Sequence, residues 1–270
     1  ASFAPVVGQN DGLRYYSVED GLSNNTVKTI CQDENGYIWV GTKNGLNRLD
    51  GYEIKNYYHL PTSEVETPND ITCVNRFSDG LFWIGTFSGI VLFDPLKEEY
   101  LDLSERYSGT EFPSSVVVGC YEDPSGNCWV GTKQGLYMFG KDGRCISVDV
   151  FHNAYIHMMT VADDYMLLMD VVGQGIVLYD LQSMQSRVLL KTGKRFSLTD
   201  GFRDSKGRIW LVEDLEKLYR YIPDSEEVLS VNCMTEPGIV LERNYVHDII
   251  ELNDSTLLFA TDKGLVAYNV

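Results

Sequence analysis

One motif recurs along this chain and constrains its fold more than any other feature. The sequence Trp–hydrophobic–Gly–Thr occurs at Trp39–Thr42, Trp83–Thr86 and Trp129–Thr132, and three weaker copies follow. The first residue of the motif, here called the anchor, is in the six copies Trp39, Trp83, Trp129, Met169, Trp210 and Leu258. The anchors lie about 40 to 48 residues apart, and regular repetition at this interval is the signature of a repeat architecture.

Each copy contains four short strand-like segments separated by turn signals. In the first copy the predicted strands, named a to d, are Val27–Gln32, Tyr37–Thr42, Leu46–Leu49 and Glu53–Tyr58. Four antiparallel strands per repeat of this length are the pattern of a β-propeller blade. We therefore predict an all-β chain that folds as a β-propeller of six four-stranded blades. We expect the anchor Trp to fill the space between neighbouring blades, and Gly41 to let them approach closely.

The two ends of the sequence indicate how such a ring closes. Strand d can be located in the first five copies, whereas the sixth shows none before Val270. The segment Leu13–Ser17 resembles strand d, and we expect it to pair as the outer strand of the last blade, so that residues 1–270 form one domain. The alternative is that the six repeats are part of a seven-bladed ring.

The composition excludes several classes of partner. The net charge of −17 repels phosphate backbones and heavily sulfated glycans, so nucleic acid is not an expected partner. No apolar run reaches the length of a membrane span, and no membrane contact is expected. The six cysteines contain no CxxC pair and no zinc-like spacing, so no metal or other cofactor is expected. The hairpin is expected to place Cys120 opposite Trp129, which disfavours a disulfide between Cys120 and Cys128.

Several segments of the first repeat resemble a known family. They are Tyr15-Tyr16, Asp20–Asn25, Ile38–Thr42, Asn44–Arg48 and Asp50-Gly51, and they resemble the two-component regulator propeller repeat. The second and third copies match this repeat well, and the last three match it in outline. The resemblance implies that this chain is the periplasmic sensor region of a hybrid two-component system histidine kinase of Bacteroidetes. Such a kinase is an inner-membrane protein.

The same resemblance implies the partners and the ligand. The complete protein would carry further propeller repeats, a β-sandwich, a membrane helix, a histidine kinase and a receiver domain, and it could form a homodimer. Members of the family commonly sense oligosaccharides, and their rings often have seven blades. We therefore expect this segment to be a ligand-recognition module and not an enzyme, next to a further propeller and a β-sandwich of the same protein.

The predicted binding surface is the end of the propeller where the d-to-a loops meet the b-to-c turns. Side chains on these loops can hydrogen-bond sugar hydroxyls or stack on sugar rings. The candidate ligand-binding residues are Asn24, Asn25, Lys43, Asn44, Phe87, Tyr107, Lys133, Gln134, His152, Tyr155, Arg195, Asn244 and Tyr245.

Two other functions stay open as alternatives. The segment could be a scaffold that supports a neighbouring ligand-binding domain, or it could be a polysaccharide lyase or hydrolase. Some propeller lyases use a His with a Tyr or Glu near the mouth of the ring. Two histidines, His157 and His247, lie near the start of a strand a. His247 comes nearest to such a site, because it lies beside Tyr245 and Asp248. We predict no catalytic residues, because the sequence contains no nucleophile elbow and no phosphate loop.

Overall fold

The computed structural model describes residues 16–59, 69–109, 112–193, 196–213, 218–231, 246–261 and 264–269 of the 270-residue chain. These residues form five four-stranded antiparallel sheets and a sixth sheet of three strands. The helical segments among them are two 3-10 turns, Val18–Asp20 and Asp149–Phe151, and the short helix Leu103–Arg106. The prediction of an all-β propeller with six blades is confirmed. Within the described ranges, no helix is long and apolar enough to cross a membrane.

The strands follow one another within each blade in the order a, b, c, d. They are, in blade 1, Val27–Gln32, Ile38–Thr42, Gly45–Leu49 and Ile54–Tyr57; in blade 2, Ile71–Arg76, Phe82–Thr86, Gly89–Asp94 and Glu99–Leu101; in blade 3, Val117–Glu122, Cys128–Thr132, Gly135–Phe139 and Cys145–Ser147; in blade 4, Ile156–Asp163, Met166–Val171, Gly175–Asp180 and Gln185–Leu190; in blade 5, Leu198–Arg203, Ile209–Glu213, Leu218–Ile222 and Glu227–Val231; and in blade 6, Val246–Asn253, Thr256–Thr261 and Gly264–Asn269. The strand a of each blade lies beside the strand a of the next.

The hydrophobic core lies in layers between consecutive blades. Each anchor Trp points toward the following blade and packs against an aromatic side chain there. Trp39 meets Phe82 edge-on with 4.9 Å between ring centroids, and Trp129 meets Tyr179 at 5.9 Å. The four anchor tryptophans are at most 1% exposed, as predicted for equivalent buried positions. Aromatic packing between the sheets therefore holds the blades side by side.

A carboxylate six residues before the anchor locks the a–b turn to the tryptophan. In blade 1, Asp33 accepts hydrogen bonds from the backbone N–H groups of Asn35 and Tyr37 at 2.9 and 3.0 Å. Its second oxygen accepts from the indole Nε1 of Trp39 at 2.8 Å. Asp123 and Asp204 form the same bond with the anchors of their blades, each at 3.0 Å. We call this arrangement the turn lock.

Blade 2 lacks the turn lock. The residue six positions before Trp83 is Phe77, which packs against the indole with 5.3 Å between ring centroids. The backbone of the turn is unchanged, because Phe77 N–H donates to Leu81 O as Asp33 N–H donates to Tyr37 O. Trp83 Nε1 is consequently buried without a hydrogen-bond partner.

The motif glycines allow neighbouring blades to approach closely, as predicted. A Cβ atom on Gly41 would lie 2.7 Å from Ile71 of blade 2, and one on Gly85 would lie 2.7 Å from Val117 of blade 3. These separations are shorter than side-chain contacts allow, so a larger residue would push the blades apart.

Two predicted registers are wrong by one residue. The residue of blade 4 that takes the place of an anchor Trp is Leu168, not Met169, since Leu168 lies opposite Leu178 and faces blade 5. The b–c turn of this blade has one extra residue, so counting back the usual six positions from Gly175 stops one residue short of Leu168. In blade 3, Cys120 lies opposite Val130 and not opposite Trp129, because the a–b turn spans five residues.

One face at each end of the array of blades is exposed. Ile30 of blade 1 is 64% exposed, whereas its equivalents Val74 and Cys120 are covered by the preceding blade and are 7% and 9% exposed. On blade 6, Ile250 is 53% exposed. The closing strand predicted at Leu13–Ser17 lies outside the described residues except for its last two, which are not in a strand. Closure by this segment stays a prediction.

Candidate functional site

Backbone hydrogen bonds that recur from blade to blade hold the turns at one end of the propeller in place. This end carries the d-to-a loops and the b-to-c turns, and we call it the loop end. The N–H group that follows strand b donates to the carbonyl group that precedes strand a of the same blade. This bond joins Lys43 to Thr26 and Phe87 to Asp70, each at 3.0 Å. The buried motif threonine supports the same turn, since Thr42 Oγ1 donates to Gly45 O and accepts from Asn44 N. Side chains on these turns therefore project from a rigid frame.

Several of the predicted ligand-binding residues are exposed at the loop end. They are Asn25, Lys43, Asn44, Phe87, Gln134, His152 and Tyr155, and Lys133 and Asn24 are partly exposed there. The two asparagines serve the loop itself, because Asn24 Oδ1 accepts from Thr26 N and Asn25 Oδ1 accepts from Val18 N, each at 2.8 Å.

Tyr107 is placed differently from the expectation. It is 8% exposed and packs against Trp83 and Phe139 with centroid distances of 5.7 and 5.1 Å. It lies at the opposite end of the propeller, because the chain after Leu103–Arg106 runs down to the c–d turn of blade 3, where Ser108 N–H donates to Gly143 O. Arg195, Asn244 and Tyr245 lie outside the described residues, as does the side chain of His247.

Polar and aromatic side chains of blades 3, 4 and 5 form a connected row at the loop end, which we call the polar arc. It consists of Lys133, Tyr155, His157, Ser197, Asp170, Glu213 and Tyr219. The ammonium group of Lys133 lies 5.6 Å from the ring centroid of Tyr155, and that ring lies 4.9 Å from the ring of His157. His157 Nδ1 is 3.0 Å from Ser197 Oγ, which belongs to the connection between blades 4 and 5.

The carboxylates of the polar arc occupy an unusual environment. Asp170 is 1% exposed and accepts a hydrogen bond from Leu198 N of the next blade at 2.9 Å. Burial raises the pKa of Asp170 to about 6; the Leu198 N–H opposes this shift and the charge of Glu213 adds to it. Glu213 accepts from the hydroxyl of Tyr219 at 2.7 Å, and burial, with this contact, raises the pKa of that phenol. Perturbed carboxyl groups of this kind cluster at functional sites.

Sequence reasoning missed Asp170 and Glu213, although a signal was present. They replace the Gly and the Thr of the motif: Asp170 lies where blade 1 has Gly41, and Glu213 where it has Thr42. Treating these copies only as weaker repeats concealed the fact that both departures introduce a carboxylate at the loop end.

A cavity at the loop end lies on the outer side of blades 1 and 2. This cavity of about 490 Å³ is lined by Tyr58, His59, Ile90, Val91, Tyr100, Leu101, Asp102 and Leu103. The ring of His59 meets Tyr100 edge-on at 5.0 Å, and burial lowers the pKa of His59. The side chain of Asn69 clasps the backbone of His59, accepting from its N–H at 2.9 Å. We call this feature the outer cavity.

Within the described ranges, no group of three or more His, Cys, Asp and Glu side chains is arranged to hold a metal ion. The polar arc contains a histidine, two tyrosines and two carboxyl groups, which is a set of hydrogen-bonding groups suited to a polyhydroxylated ligand. Its aromatic members supply flat faces on which a sugar ring can stack.

The family model described as two component regulator propeller matches residues 21–44 and 111–134. The chain carries two component regulator propeller repeats. This confirms the resemblance seen in the sequence. The two matched segments are the corresponding parts of blades 1 and 3, from the loop before strand a to the b–c turn, and both contain a turn lock.

One curated relative matches a short part of this chain, and solved structures share its fold. Over 42 residues, 16% of this chain and 3% of the relative, the chain is 50% identical to Histidine kinase P4 of Formosa agariphila. The extracellular domain described as that of the hybrid two component system BT3049 from B. thetaiotaomicron is 21% identical and has a TM-score of 0.72, with 95% of this chain and 35% of that chain covered. Virginiamycin B lyase from Staphylococcus aureus is 16% identical with a TM-score of 0.64, covering 91% and 84%. These structures share the fold.

Proposed function

We propose that this chain is an extracytoplasmic ligand-sensing module of a hybrid two-component signalling protein. Three findings support the proposal: the two component regulator propeller repeats, the short match to a histidine kinase, and the likeness in fold to an extracellular domain described as part of a hybrid two component system. The chain spans 35% of that domain and 3% of the kinase. The kinase output, a periplasmic location and neighbouring propeller and β-sandwich domains are therefore parts of the proposal.

The polar arc carries the proposal for the ligand, which we infer to be an oligosaccharide. The connected row from Lys133 to Tyr219 crosses three blades, so an extended ligand can contact several rigid turns at once. Tyr155 is 40% exposed and offers a ring for stacking, with Lys133 beside it. His157, Ser197 and Glu213 offer donors and acceptors for hydroxyl groups.

The negative charge of the protein favours neutral oligosaccharides over acidic ones. The protein carries a net charge of −17, and the polar arc itself contains two carboxyl groups against one lysine. A sulfated or uronate-rich chain would be repelled by this field, whereas a neutral oligosaccharide would not. We therefore expect neutral glycans to bind in preference to acidic ones.

The proposal is tested with a glycan array on this chain, followed by titration calorimetry of the best neutral oligosaccharide. Tyr155→Ala and Glu213→Gln should each weaken binding by about tenfold, because each removes a contact worth about 1.4 kcal/mol. Tyr58→Ala in the outer cavity is the matched control and should leave the affinity unchanged. The polar arc is excluded as the site if Tyr58→Ala abolishes binding and both arc variants bind like the parent chain.

The same experiment separates the alternative functions. A scaffold role requires that this chain bind no glycan, while a longer protein containing it does so with an affinity that arc variants do not alter. Cleavage of the bound oligosaccharide, lost in His157→Ala, would support a propeller lyase or hydrolase. Retention of the intact oligosaccharide after prolonged incubation supports sensing.

A further inference from the structure

The repeat places two defined positions of neighbouring strands a at equivalent places in each junction. The first is the residue of strand a that lies opposite the motif glycine, and the second is the residue of the next strand a that lies opposite the motif hydrophobic residue. The five successive pairs are Thr29 and Val74, Cys73 and Cys120, Gly119 and Met159, Met158 and Gly201, and Asp200 and Ile249. A Cβ on Gly119 would lie 3.5 Å from Met159 Cε, and one on Gly201 would lie 3.1 Å from Met158 Sδ.

At the junction of blades 2 and 3, both positions are cysteines. The Sγ atoms of Cys73 and Cys120 are 3.8 Å apart, in van der Waals contact, and neither is bonded to another sulfur. The close approach is a property of the junction, because a Cβ on Gly85 of blade 2 would lie 2.7 Å from Val117 of blade 3. A disulfide needs the two sulfurs at about 2.0 Å, which adjustment of the two side-chain torsions can supply across strands already in contact.

The remaining buried cysteines of blade 3 are placed differently. Cys128 lies opposite Glu122 and Cys145 lies opposite Phe139, so both occupy a row two residues along the strands from Cys120. Strand geometry separates such diagonal neighbours by about 7 Å or more between Cα atoms, which is unfavourable for a disulfide. Among the cysteines that the structure describes, the contact between blades thus brings the sulfurs of Cys73 and Cys120 together.

We propose that Cys73 and Cys120 form a disulfide that ties the inner strands of blades 2 and 3 together under oxidising conditions. Cys73 is partly exposed, whereas Cys120 is 9% exposed, so the Cys73 thiol is the one that begins the exchange. Its thiolate attacks one sulfur of a small disulfide such as oxidised glutathione and releases one glutathione thiolate. Cys120 then loses its proton and attacks Cys73 Sγ, which releases the second glutathione. The two electrons of the cysteine pair reduce the oxidant, and the protons end on the two released thiols.

The test is oxidation of the full chain with oxidised glutathione, followed by thiol counting after denaturation and by peptide mapping without reductant. Four of the six thiols should stay reactive, and the map should contain the Cys73–Cys120 linked peptide. The oxidised protein should melt about 5 °C higher than the reduced one, since the cross-link closes a loop of nearly 50 residues. Cys73→Ser and Cys120→Ser should each abolish the linked peptide, and Cys128→Ser should leave it unchanged.

A transplanted pair controls for the oxidation conditions. In a chain with Cys73→Ala and Cys120→Ala, the substitutions Thr29→Cys and Val74→Cys place cysteines at the equivalent positions of the first junction. This variant should form a linked peptide between residues 29 and 74. The proposal is overturned if the native pair stays reduced while the transplanted pair is oxidised, or if Cys120 is found linked to Cys128.

Discussion

Replacing Asp123 by alanine removes one carboxylate that accepts hydrogen bonds from four donors. The 5% exposed side chain accepts from the backbone N–H groups of Ser125 and Asn127 at 2.9 and 3.0 Å, and from the Asn127 amide and Trp129 Nε1, each at 3.0 Å. Alanine leaves the indole N–H of Trp129 unpaired in a site where that side chain is 1% exposed.

The loss of stability depends on how well water can replace each hydrogen bond that Asp123 accepts. The buried indole N–H has no access to water and should contribute about 2 kcal/mol, whereas the three donors of the partly exposed turn should contribute about 0.5 kcal/mol each. We therefore expect Asp123→Ala to lower the free energy of unfolding by about 3.5 kcal/mol. Such a loss is a large part of the total stability of a typical domain, about 5–15 kcal/mol.

Urea denaturation followed by circular dichroism and tryptophan fluorescence measures this change. Asp142→Ala is the matched control, because Asp142 accepts from Arg144 N in an exposed c–d turn of the same blade and contacts no tryptophan. The control should lose less than about 1 kcal/mol. Asp123→Asn should show most of the destabilisation of the alanine variant, since one amide oxygen cannot serve both the turn and the indole. The turn-lock explanation is refuted if Asp123→Ala and Asp142→Ala unfold at the same urea concentration.

Three further predictions concern single positions in the blades. Trp129→Phe should destabilise the chain by about 1.5 kcal/mol more than Trp83→Phe, measured by urea denaturation, because the Trp83 indole N–H has no acceptor to lose. Gly85→Ala should lower the free energy of unfolding by about 2 kcal/mol through its clash with blade 3, whereas Gly193→Ala, with nothing within 4 Å, should have no measurable effect. The folded-state pKa of Asp170, about 6, is higher than its ordinary value, so the stabilising effect of its protonation is present below pH 4 and is lost as the pH rises through 6. Asp170→Asn should therefore gain stability relative to the parent chain between pH 4 and 7 in thermal melts, and parallel profiles would contradict the assignment.

The sequence was enough to predict the blades because the motif encodes contacts that repeat. Strand a of blade 1 has the predicted bounds, Val27–Gln32. Trp39 fills the gap between blades, Gly41 allows their close approach, and Thr42 closes the b–c turn. A pattern in which each residue has a single structural role can be recognised from the sequence.

Prediction failed where the length of a turn changed or where a residue left the pattern. One extra residue in the b–c turn of blade 4 shifted the assignment from Leu168 to Met169. Tyr107 belongs to a long connection whose path depends on packing against Trp83, which local sequence does not encode. Asp170 and Glu213 come together only because two blades with different departures from the motif are neighbours in the ring.

The exposed faces of the first and last blades bear on how the molecule opens. Val74 of blade 2 is covered by blade 1, whereas Ile30 and Ile250 are 64% and 53% exposed in the part of the chain that the structure describes. A blade packed on one side can detach at a smaller free-energy cost than a blade packed on both sides. Amide hydrogens of strands b and c should consequently exchange with solvent fastest in blades 1 and 6 and slowest in blade 3. The array would then unravel inward from its ends, and the turn lock of blade 3 would be among the last structures to open.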